Sequence, residues 1–138
     1  MSQSRIIMGG APEGFDAKLI LAEVEKAAGP VIHVARDDKR MAALQEALAF
    51  FAPDMPVVSF PAWDCLPYDR VSPNPDISAA RMSTLAALVH AMPQRFVLLT
   101  SLSSATQYLP ARELLRDDAF SARVGDRIDE KALRDFLV

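Results

Sequence analysis

An α/β fold with a mostly parallel sheet flanked by helices is predicted by three observations. Short β-branched, apolar runs alternate with segments of helical period, the runs are nearly all apolar, and capping or breaking residues separate them. The alternation calls for βαβ units with right-handed crossovers. The 138 residues, 51% hydrophobic and 24% charged, have the size and balance of one folded domain.

Arg5-Ile6-Ile7-Met8 reads as a short buried strand that breaks at Gly9-Gly10. From Asp16, the positions Ile20, Val24 and Ala27 follow the helical period until Gly29-Pro30 stops it. Val31 to Ala35 forms a second strand, expected to be covered on both faces. Asp37 then caps a helix whose stripe is Met41, Leu44, Leu48 and Phe51. Val57 to Phe60 is a third strand and Phe96 to Thr100 a fourth, so the sheet should hold at least four. From Pro53 to Pro75, on either side of the third strand, six prolines make a stiff, irregular surface segment. Helical period resumes at Met82, Leu85, Val89 and Met92. Ser101 to Leu109 is a short helix or turn, and Pro110 can begin another through Leu115. Asp129 caps a last helix, with Ile128 and Leu133 placed as a hydrophobic staple. That helix runs to Leu137-Val138 without a C-cap glycine, as expected of a chain that continues.

The formal charge of −3 gives no general attraction to phosphate backbones. Cys65 is the only cysteine, which excludes an internal disulfide and a cysteine-based zinc cluster. No apolar run approaches the roughly 20 residues of a membrane span. A cytoplasmic location is expected.

The segment Gly9-Gly10-Ala11-Pro12-Glu13-Gly14-Phe15-Asp16 lies where many α/β proteins hold phosphate, between a first strand and a first helix. Against the pattern G-x-x-x-x-G-K-[ST], Gly9 and Gly14 match, but Phe15 replaces lysine and Asp16 replaces serine or threonine. No ammonium would reach a phosphate there, and no hydroxyl would ligate magnesium. Pro12 removes an amide donor, and Asp16 puts the protein's own anion at the helix N-terminus. The same segment also reads as G-x-A-x-x-G, with Asp37 where a dinucleotide fold places its ribose acid. This alternative would make the chain a small Rossmann-like nucleotide-binding oxidoreductase domain, although Asp37 is equally an N-cap.

His33 and His90 have no acidic or cysteine partner at ligand spacing and read as structural. Cys65 lacks a nearby cation to activate it. Ser101, Ser103 and Ser104 lack a nucleophile elbow and read as helix caps. Asp64, Asp69 and Asp76 flank prolines and read as turn residues. Trp63, Leu66 and Tyr68 either pack on the domain or anchor a partner. Arg81, on the following helix, is placed to pair with an acid of that loop. No catalytic residue, cofactor or metal is expected.

The string from Phe60 to Leu85, with Trp63-Asp64-Cys65-Leu66-Pro67-Tyr68-Asp69, Ser72-Pro73-Asn74-Pro75-Asp76-Ile77 and Arg81, closely resembles the N-terminal region of bacterial transcription-repair coupling factors (Mfd). The resemblance implies a domain like the first helicase domain of UvrB, with a degenerate nucleotide loop at Gly9, Gly14, Phe15 and Asp16. It divides the chain into a UvrB-like domain, 1–118, and a strand and helix, 119–138, leading toward a following domain. UvrB-type proteins clamp damaged DNA with a tyrosine-rich hairpin. Here Pro61 to Ser72 is short and holds only Tyr68. The parent implied is an ATP-driven DNA translocase that displaces stalled RNA polymerase and recruits UvrA, mainly through the domain after this one. This chain would be a non-catalytic scaffold. Its partners would be the parent's remaining domains, with UvrA, RNA polymerase and DNA reached only through the parent.

Overall fold

The computed structural model describes residues 6–66, 68, 70–90, 92–117, 122 and 124–137, with the backbone alone at Asp117. Among these residues the elements run α1 (Phe15–Lys26), β1 (Val31–Ala35), α2 (Asp38–Phe51), β2 (Val57–Phe60), α3 (Pro75–His90), β3 (Val97–Ser101), α4 (Leu102–Ala105), α5 (Arg112–Asp117) and α6 (Glu130–Leu137). The α/β class and the parallel sheet agree with expectation. The sheet has three strands in the order β1-β3-β2, both pairs parallel, with Val31 and Val57 opposite Val97.

The strand expected at residues 5–8 is a correction. Arg5 lies outside the described residues, and Ile6, Ile7 and Met8 belong to no strand and are largely exposed. Their sequence is strand-like, but they pair with none of the three strands, and without a paired neighbour the backbone is not held as a strand.

The main core lies between one sheet face and the pair α1/α2. Ala17, Ile20 and Val24 of α1 meet Met41, Leu44 and Leu48 of α2, above Ala35, Val97 and Leu99 of the sheet. Because side chains alternate across a strand, Leu98 points the other way. There it joins a smaller cluster of Phe60, Leu85 and Leu115, with Val89 against it. Helices α3 and α5 form this second layer.

The second layer covers the β2 side of the sheet and leaves the β1 side open. Ile32 is 62% exposed and Val34 48% exposed, so β1 is not covered on both faces as its composition suggested. Phe51, the last residue of the expected α2 stripe, is also exposed.

Three helix starts follow the expected capping chemistry. Asp37 accepts a hydrogen bond from Arg40 N at 2.8 Å, and Ser101 accepts one from Ser104 N at 3.3 Å. Asp129 accepts from Lys131 N and Ala132 N. Helix α3 differs from expectation, since it begins at Pro75, seven residues before Met82. Proline at a helix's first position costs nothing, since that amide has no intrahelical acceptor anyway.

Candidate functional site

Two regions were marked out by the sequence, the loop before α1 and the segment from Trp63 to Arg81. In the first, Gly14 takes φ 80° and ψ −10°, a left-handed conformation open to glycine, and it turns the chain into α1. Phe15 N donates to Pro12 O at 3.1 Å, which closes the turn. Gly9 is exposed, and Phe15 is 42% exposed at the first helical position.

Asp16 does not face solvent alone. Its Oδ1 accepts from Ala17 N at 3.1 Å, and its Oδ2 accepts from Arg40 Nη2 at 2.7 Å. Arg40 Nη1 donates to Glu13 Oε1 at 3.2 Å. One guanidinium therefore clamps both acids of the loop, while the backbone amide of the same arginine is the donor that caps α2. The positive end of α1 is met by a carboxylate that is already paired. His33, half-buried on β1, feels both members of this pair. Burial pushes its pKa down, Asp16 opposes that shift, and Arg40 adds to it. Asp37 is held below the usual carboxylate range by its hydrogen bonds to Arg40 N and Arg36, so it is engaged as a cap.

In the second region Arg81 has partners that its sequence position did not indicate. Its residue is 2% exposed, and it forms no ion pair with an acid among the described residues. Instead Nη1 donates to Pro61 O, to Ser104 Oγ at 3.1 Å and to Gln107 Oε1 at 3.0 Å. The guanidinium lies 4.1 Å from the Phe60 ring centroid and 4.4 Å from that of Trp63. Burial lowers the Arg81 pKa. Two aromatic faces and three oxygens thus surround the guanidinium, and Asp38 opposes part of the shift that burial causes.

The neighbours of Arg81 serve the same purpose. Trp63 N donates to Gln107 Oε1 and Ser104 Oγ donates to Pro61 O. Thr84 Oγ1 donates to Ser59 O and Thr100 Oγ1 to Phe60 O. Carbonyls from 59 to 61, where the chain leaves the sheet, are each met by a side chain.

The sequence named the segment but not these partners. Ser104 and Gln107 were missed as members of the site, and only spatial closeness gathers them. Of the three apolar loop residues, Trp63 is half-buried against Arg81, whereas Leu66 and Tyr68 are exposed. Tyr68 also has φ 88°, an unusual conformation for a residue with a Cβ. Asp64 accepts from Asn74 N and so closes the loop, and Asn74 Oδ1 accepts from Asp76 N. Asp69 lies outside the described residues. Cys65 is reduced and half-buried. Beside Trp63 a cavity of about 670 Å³ opens between the loop and the α4–α5 connection.

The class that these features define is a small parallel α/β domain with an ion pair at the start of its first helix. Comparison with known proteins places the chain among relatives of one kind. Over 118 residues, or 86% of this chain, it is 33% identical to the transcription-repair-coupling factor of Escherichia coli. It is 29% identical over 122 residues to the transcription-repair-coupling factor of Haemophilus influenzae. The chain spans about 10% of the length of each of these relatives. No protein-family model matches. The resemblance drawn from residues 60–85 thus extends along most of the chain. Among the described residues no helix is long and apolar enough to cross a membrane.

Proposed function

We propose that this chain is a UvrB-like, non-catalytic scaffold segment of a cytoplasmic transcription-repair coupling factor. Residues 1–118 would form the domain, and 119–138 would lead toward a following domain through which UvrA is recruited to stalled RNA polymerase. The observation that carries the non-catalytic part is the Asp16–Arg40 pair at the start of α1. A phosphate at that position would meet a carboxylate and no lysine. Arg40 is already paired with both Asp16 and Glu13, and the three groups together keep a net charge of about −1. The open face beside Ile32 and Val34 supports a scaffold role, since strands of parallel sheets are ordinarily covered on both faces. The parent's remaining domains would supply that cover, and contact with RNA polymerase and DNA would come only through the parent.

Calorimetric titration with magnesium-ATP tests this reading. No saturable binding is expected. Binding tighter than about 100 μM, worth roughly 5 kcal/mol, would overturn it.

A further inference from the structure

The cavity beside Trp63 has a consistent chemistry. Trp63, Leu66, Pro73 and Tyr108 give it apolar walls, and among the described residues no Asp, Glu, Lys, Arg or His lines it. Of these walls, Tyr108 is fully exposed and Leu66 more than half exposed, so two of the apolar walls are open to solvent. At about 670 Å³ it can take several side chains.

One polar group breaks the apolar lining in a directed way. Gln107 Oε1 is fixed by Arg81 Nη1 and Trp63 N, which settles the amide's orientation. Its Nε2 has no acceptor among the described residues, and Gln107 lines the cavity. A cation donating to Oε1 polarises the amide and makes Nε2 the stronger donor. The buried arginine thus prepares a donor for something outside the domain.

We propose that this groove binds an extended, proline-bearing segment of a protein partner, with Gln107 Nε2 donating to one of its backbone carbonyls. Aromatic walls with an isolated amide donor suit a polyproline-type chain, whose rings pack on aromatic faces and whose carbonyls stay unpaired. No cation lines the groove among the described residues, and a chain of net charge −3 offers no general counter-charge to a phosphodiester, which weighs against a nucleic acid. The inference does not rest on the scaffold reading, because every residue it uses is in this chain.

Trp63 is the only tryptophan, so its fluorescence reports on the groove. The chain is titrated with an acetylated, amidated ten-proline peptide, a Gly-Ser peptide of equal length and a ten-residue oligothymidylate. A saturable change in emission is expected with the proline peptide at concentrations at least about tenfold lower than with either control. Tyr108→Ser removes a wall at a fully exposed position. Gln107→Glu keeps an oxygen for Arg81 and removes the donor. Each should weaken the response by about tenfold or more. An unchanged emission, an equal response to either control, or binding that survives both substitutions would overturn the proposal. So would an emission that varies with protein concentration alone, because the groove would then be filled by a second copy.

Discussion

Arg81 carries a charge into the interior and is balanced by oxygens and rings, so its shape matters as much as its charge. Lysine keeps the charge but has no planar face to lie against Phe60 and Trp63, and without that stacking nothing holds its donor among the oxygens grouped around Nη1. Arg81→Lys should therefore lower stability by about 2–4 kcal/mol in chemical denaturation, almost as much as Arg81→Ala. A loss under about 0.5 kcal/mol would show that charge alone suffices. The sequence pointed to Arg81 as a residue of note but assigned it an acidic partner. Counter-charge is the usual reason for burying an arginine, and ring stacking combined with carbonyl acceptors has no linear signature.

His33 gives a pH dependence of defined sign. Its folded pKa lies below the ordinary value of 6.5, so the unfolded chain binds the proton more readily. The associated stability is complete above about pH 6.5 and declines as pH falls from there toward the folded pKa, by at most about 1.4 kcal/mol per pH unit. Stability measured from pH 7.5 to 5 should show this slope, and His33→Gln should flatten it. An equal slope in the variant would assign the effect to another group.

Among the elements, α2 was readable almost in full, from its Asp37 cap to the buried Met41, Leu44 and Leu48. Asp37→Ala should cost about 1 kcal/mol, since Arg40 N loses its acceptor. The Arg40 side chain should keep its grip on Asp16, so loss of that pairing by nuclear magnetic resonance would contradict the independence of cap and clamp. Helix α3 was readable only at Leu85 and Val89, since Met82 of the expected stripe is exposed and Met92 lies past the helix end at His90. Its inner face uses Arg81 and Thr84 before Leu85, all buried, and polar residues give no apolar period to detect. The segment at 6–8 misled for the opposite reason. Its composition suits a strand, but composition does not provide the neighbour that makes one.

For the whole molecule, the class, the parallel pairing and the main core were legible because they follow from periodicity. The extent of cover was not, since it depends on what packs outside each strand. Ile32 and Val34 look like core residues in sequence and stand 62% and 48% exposed on an edge strand. Ile32→Thr should leave stability within about 0.5 kcal/mol and reduce self-association of the isolated chain in sedimentation velocity. A loss above about 1 kcal/mol would mean that Ile32 is packed in solution.

The strand order carries a consequence for how the chain is made. Among the described residues every hydrogen-bonded strand pair includes β3, and neither β1 nor β2 has another partner. On a ribosome, both earlier strands emerge and wait with unpaired edges until residues 97–101 leave the exit tunnel. The sheet then closes in one late event across two long intervening stretches of chain, an arrangement that slows folding and exposes apolar edges in the meantime. Nascent chains arrested before β3 has emerged should be cut readily by protease throughout β1 and β2. Those arrested after it should be protected in both strands together.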